Sequence, residues 1–125
     1  MLELRKTIQA TLKKVADRVY YLKANSSATY PYIVYSLEVY PQVGEDELQL
    51  VTLQIDGWDN VADTSQIELL MKNVEDELKN KLIQNEKLSI RFKLDSKVPL
   101  FDDDNPSLSR RTFLYSGRLY ERNDN

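Results

Sequence analysis

Apolar residues recur along this chain at two different periods, and the places where one gives way to the other predict its elements. Leu4, Ile8, Leu12 and Val15 stand at helical spacing, with Arg5, Lys6, Lys13 and Lys14 left for a solvated face. The spacing predicts a helix from Leu2 to Ala16. "DRVYYLKA" then reads as a short strand and "NSSATYP" as a turn-rich connector. From Tyr30 to Tyr40, Ile33, Tyr35, Leu37 and Val39 alternate with Tyr32, Val34, Ser36 and Glu38 between Pro31 and Pro41, the mark of a strand with one buried face. "PQVGEDE" predicts a reversal into a second long strand, Leu50 to Asn60, in which Val51, Leu53 and Ile55 alternate with Thr52, Gln54 and Asp56.

After Asn60 the helical period returns. Asp63 followed by Gln66 has the spacing of a capping box, with Thr64 as the alternative cap, and Ile67, Leu70, Met71, Val74, Leu78 and Leu82 form an apolar stripe. Glu68 with Lys72, Glu75 with Lys79 and Glu77 with Lys81 are spaced as exposed helical ion pairs. Leu88, Ile90, Phe92 and Leu94 predict a third long strand, and Phe113, Tyr115 and Leu119 a fourth. Between these two, "DSKVPLFDDDNPSLSRR" shows no evident element and predicts a long loop at about 96–109, of a kind that is functional or disordered. The expected architecture is α+β: a mostly antiparallel four- to five-stranded sheet with two helices packed on one face. It forms one domain over residues 1–125 with a short polar C-terminal tail, and the chain shows no internal repeat.

At 125 residues such a domain buries roughly two-thirds of its unfolded surface and folds without staples. Cysteine is absent, which excludes disulfides, thiol nucleophiles and thiolate metal sites. Histidine is absent too, which removes the commonest general base and zinc ligand. No apolar run approaches a membrane span and the first residues lack the apolar core of a signal peptide, so a protein free of the membrane is expected. The net charge of −3 is small but segmented. Six basic residues face two acidic ones up to Lys23, three face twelve from Glu38 to Glu86, and eight face six from Lys87 onward. Solvated faces that differ are one reading; copies meeting head to tail, basic surface on acidic, are the other.

Candidate chemistry is sparse. Asp102, Asp103 and Asp104 are hard ligands for a divalent cation, but the alternating ligands, turn glycine and terminal glutamate of a calcium loop are missing, and a solvated acidic turn fits better. Asp56 and Asp59 flank Trp58 and can be posed as a hydrolytic carboxylate pair, although Asp59 and Asn60 suit a turn as well. Of eight tyrosines, six fall between Tyr20 and Tyr40, which fits sheet packing and a protein interface better than base stacking, since no basic groove accompanies them. Gly44, Gly57 and Gly117 lie too far apart to cradle a phosphate, and no triad can be built around a histidine. No enzyme activity and no cofactor is expected.

The order of an N-terminal helix, "YPYIVYSLE", an acidic turn, "VTLQIDGWDN" and "TSQIELLMKNVEDEL" resembles the tail-completion proteins of long-tailed bacteriophages and prophages, the tail terminator or tail-to-head joining family. Pro31, Tyr32, Val34, Asp56 and Trp58 carry the likeness, which spans Leu2 to Leu82; "FDDDNPSLSRRTFLYSGRLYER" departs from it. The resemblance implies a subunit that closes into a ring, expected as a hexamer, at the head-proximal end of the tail. Its implied partners are further copies of itself, the tail tube protein and a head-completion or neck protein, with no membrane and no sequence-specific nucleic acid. It would assemble in the bacterial host cytoplasm and end in the virion. A head-closure protein and a small nucleic-acid-binding module are the alternatives. Trp58, on the polar side of its strand, is expected either under the chain's own helix or at a subunit interface. Leu100, Phe101, Asp102, Asp103, Asp104, Arg110 and Arg111 are expected to act in assembly or to belong to a solvated loop.

Overall fold

The computed structural model describes residues 1–41, 48–102 and 105–121, with the backbone alone for Phe101, Asp102 and Pro106. The described elements are α1 (Leu2–Lys13), β1 (Val19–Tyr21), β2 (Tyr32–Pro41), β3 (Leu48–Asn60), α2 (Ser65–Leu78), β4 (Leu82–Gln84), β5 (Leu88–Asp102) and β6 (Asn105–Glu121). They build an α+β domain around one curled sheet in the order β1-β2-β3-β6-β5-β4. The described sheet has six strands where four to five are expected: the short strand expected in "DRVYYLKA" is β1, and the added one is β4, whose Leu82 the apolar stripe assigns to the preceding helix. β1 runs parallel to β2 and the remaining pairs are antiparallel.

Alternation within the strands sorts the sheet into two faces. Ile33, Tyr35 and Leu37 of β2, Val51, Leu53 and Ile55 of β3, and Ile90 and Phe92 of β5 are buried on one of them. Both helices cover that face. The Tyr35 hydroxyl donates to Gln9 Oε1 at 2.8 Å, tying β2 to α1, and Ile55, its cross-strand partner, lies on the same side. Two residues further along β3, Gly57 lets α2 come close: a Cβ there would lie 2.6 Å from Met71 Sδ and 2.8 Å from Ile67 Cδ1. Ile67, Met71, Val74 and Leu78 are buried on α2, and Leu70 packs against them from a partly covered position.

Three expectations need correction at element ends. α1 stops at Lys13, three residues short of Ala16, where Val15 and Ala16 both bond back to the Leu12 carbonyl in a closing turn. α2 stops at Leu78, not Leu82: Lys79 is extended, Asn80 has φ 60, a left-handed value that asparagine tolerates, and Leu82 sits exposed on β4. At the other end Thr64 is the cap position but makes no side-chain cap bond; the Asp63 carboxylate instead accepts from Ser65 N at 2.9 Å and Ser65 Oγ at 2.6 Å. Hydrogen bonding from Ser65 holds the Asp63 carboxyl below its ordinary pKa.

The largest correction concerns the loop at about 96–109. Residues 96–102 continue β5 and residues 105–109 begin β6, paired from Leu88↔Glu121 through to Asp102↔Asn105. One extra residue explains the misreading. A register shift between Leu94 and Ser96 leaves Asp95 as a bulge, so inward positions change from even to odd numbers: Leu94 opposes Tyr115, but Lys97 opposes Phe113. The alternation that marks Leu88–Leu94 as a strand is inverted, and Val98 and Leu100 turn to the outer face.

Each edge strand is short. β1 pairs with only Ile33–Tyr35 of β2, and β4 with only Ser89–Arg91 of β5. Among the described residues, the outer edges of β2 beyond Tyr35 and of β5 beyond Phe92 carry no paired strand.

Candidate functional site

The sheet face turned away from the helices carries two unlike groups of side chains. At the end nearest the β5–β6 turn stands Trp58. Gly57 and Asp59 on either side of it face inward, so alternation places Trp58 outward. The expectation that the chain's own helix covers it does not hold. Its cover comes instead from Arg110, its cross-strand partner, whose guanidinium carbon lies 5.3 Å from the ring centre.

Arg110 is held there by Asp56. Its Nε donates to Asp56 Oδ1 and to Thr112 Oγ1, each at 3.1 Å. The Thr112 hydroxyl donates to the same Asp56 oxygen, and Gln54 Nε2 donates to Asp56 Oδ2 at 2.9 Å. Asp56, the acidic member of the Asp-x-Trp pair, thus fixes the cation that covers the tryptophan. Replacing it takes the carboxylate from Arg110 and leaves the buried Thr112 hydroxyl without its acceptor, and Asp56→Ala is expected to cost about 1–3 kcal/mol. Chemical denaturation would measure that loss, and a fall in Trp58 quencher protection in the same variant would show that Arg110 had moved. Around Trp58, Tyr32 opposes it on β2, Tyr30 stacks on Tyr32 with centroids 5.3 Å apart, and Tyr20 meets Tyr32 edge-on at 5.9 Å. Burial, then the Tyr30 neighbour, raises the Tyr32 pKa.

At the opposite end of the same face is a hollow of about 760 Å³. Arg91, Lys93 and Arg118 line it together with Tyr40, Leu50, Leu82 and Tyr120, and no Asp or Glu is among its lining residues. Sequence reading misses it, because Arg91 and Arg118 stand on different strands as ordinary polar-face residues.

The remaining expected residues divide. Leu100 lies outward opposite Arg110. Arg111 is separated from its neighbour: it points inward, is 8% exposed, and donates to Glu68 Oε1 on α2 at 3.1 Å. Beside it Lys97 meets Glu75 Oε1 at 2.6 Å in a cleft of about 380 Å³ between α2 and the hairpin. For Phe101 and Asp102 only backbone is described, and Asp103 and Asp104 lie outside the described residues. Asp56 and Asp59 do not form a carboxylate pair. Asp56 is outward and Asp59, 2% exposed, is inward, with Oδ1 accepting from Asn60 N. Asp59 Oδ2 and the Ser109 hydroxyl, on directly opposed residues, are buried without a partner among the described residues. No group of three or more metal-ligating side chains is found among the described residues, and no described helix is long and apolar enough to cross a membrane.

No protein-family model and no curated protein matches the sequence. Among solved structures, a chain of the virion of a native gene transfer agent (GTA) particle matches with a TM-score of 0.68 and 13% identical residues. The match covers 92% of this chain and 85% of that one. The likeness is one of fold. It takes in the long β5–β6 half of the sheet as well as the helix-strand order that the sequence makes recognisable, since the coverage leaves less than a tenth of the chain outside it.

Proposed function

We propose that this chain is a structural phage tail-completion subunit, which closes into a ring on the tail tube, ends its growth and joins it to the head. One observation carries the reading: a fold shared over 92% of the chain with a chain from a phage-like virion particle. The "YPYIV" strand and the Asp56-x-Trp58 motif support it, because in the fold they lie side by side, Tyr32 opposite Trp58 and Val34 opposite Asp56. The open sheet face, with aromatic residues at one end and cations at the other, supplies surface for contacts between copies. In this reading the protein performs no covalent chemistry; a ring presents one face to the tube and the other to the neck. Its partners are copies of itself, most simply six, the tube protein and a head-completion protein. It assembles in the bacterial cytoplasm and remains at the head-proximal end of the tail.

Adding purified protein to growing tail tubes tests this. Electron microscopy is expected to show tubes arrested at shorter lengths with a ring at one end. Tubes of unchanged length overturn the reading, and rings that bind filled heads without affecting tubes point to a head-closure protein.

A further inference from the structure

Arg91 on β5 and Arg118 on β6 are direct cross-strand partners, both exposed, on the outer face. Like charges directly opposite one another destabilise a sheet. Neither arginine has a hydrogen bond or ion pair among the described residues. Lys93, two residues along on the same face, is met only by the exposed Asp95 at 3.8 Å. Glu38, near the rim, accepts from the Tyr40 hydroxyl. The hollow therefore places three cations together, of which only Lys93 has a carboxylate beside it, and surrounds them with Tyr40, Leu50, Leu82 and Tyr120, all exposed. Its chemistry fits a segment that brings carboxylates and apolar side chains together.

The chain contains such a segment. β5 runs out at Asp102 in the sequence "LFDDDN", Leu100 to Asn105. A copy cannot place it in its own hollow, because Asn105 and Arg118 are roughly 40 Å apart along β6 at ~3.3 Å per residue. We propose that the acidic end of the β5–β6 hairpin of one copy docks into the Arg91–Arg118 hollow of the next, an inference that rests on the ring reading above and names its contact. Acidic end and basic hollow occur once each per copy, at opposite ends of one sheet. Such a contact is heterologous and runs head to tail until a ring closes. Duplex nucleic acid fits less well, since it needs cations spread along a track, and Arg110, the cation at the other end of this face, is already held by Asp56.

Two variants test the contact, R91S/R118S and D102S/D103S/D104S, each first shown to melt like the parent. Each alone is expected to self-associate roughly 10- to 100-fold more weakly in sedimentation velocity. Mixed in equal amounts, they are expected to form dimers that grow no further, because one keeps only the acidic end and the other only the hollow. If both variants assemble like the parent, the contact is wrong while the ring reading stands. If the parent itself stays monomeric at every concentration and leaves tube length unchanged, both fail. A duplex oligonucleotide bound by the parent and released by R91S/R118S, with self-association unchanged, assigns the hollow to nucleic acid and overturns the proposal.

Discussion

Val74→Asp is expected to leave the protein unfolded at 25 °C. Val74 is 0% exposed, in the middle of the α2 stripe that Ile67, Met71 and Leu78 complete against the sheet. A carboxylate forced into that contact without a partner costs several kcal/mol, a loss comparable with the whole stability of a small domain, about 5–15 kcal/mol. Protonation would relieve the charge but leave a polar group among hydrocarbon. Val74→Ala, which only removes volume, is expected to lose about 1–3 kcal/mol and stay folded. Circular dichroism melts of the pair separate the effects of charge and cavity. An Asp variant melting like the parent would place Val74 outside the core.

Alkaline conditions are expected to unfold the protein through its buried tyrosines. Burial pushes the Tyr35 hydroxyl up to about 12 despite the opposing charge of Arg5. Burial raises Tyr115 further, aided by the Glu75 carboxylate. In the unfolded chain both titrate near pH 10. Below that pH both states hold their protons and the contribution is fully present. Above it the unfolded state loses protons that the folded state keeps, so stability falls until the folded pKa values are passed, at up to about 1.4 kcal/mol per pH unit for each tyrosine. Urea melts from pH 7 to 11.5 would trace the slope. Tyr115→Phe is expected to remove one tyrosine's share of it and to cost little at pH 7, because that hydroxyl is buried without a partner among the described residues. A slope unchanged in Tyr115→Phe would mean that Tyr115 does not titrate with unfolding.

The parts of the fold that the sequence reveals are those where one period runs unbroken. Ile33 to Val39, Val51 to Ile55 and Ile67 to Leu78 keep their alternation or stripe and become β2, β3 and α2. The pattern fails where a single residue resets it: Asp95 inverts the parity of β5, and the second half of the strand then resembles a loop, more so with Pro99 inside it. Charge behaves similarly. The segmentation along the chain predicts basic and acidic surfaces, but much of it is spent inside the monomer, where Lys14 reaches Glu77, Lys97 reaches Glu75 and Arg111 reaches Glu68. Even the helical pairs are partly redrawn: Glu75–Lys79 and Glu77–Lys81 form, but Lys72 turns to Asp76 because Glu68 is taken by Arg111. Trp58 and Arg110 are individually conspicuous in the sequence; their meeting depends on strand register, which no local pattern carries. The Arg91–Arg118 pair depends on register alone.

The two uncovered sheet edges invite runaway strand addition, and each is interrupted in its own backbone. Pro41 ends the open stretch of β2 without an N–H to offer. Along β5 the bulge at Asp95 breaks the straight template, and Pro99 removes another donor a few residues on. Among the described residues, a neighbouring chain therefore finds no long, regular row of free donors and acceptors on which to build a fibre. Association is diverted from the backbone, which would accept any strand, to side chains, which accept a particular one. A subunit proposed to halt another protein's polymerisation is thereby kept from endless polymerisation of its own.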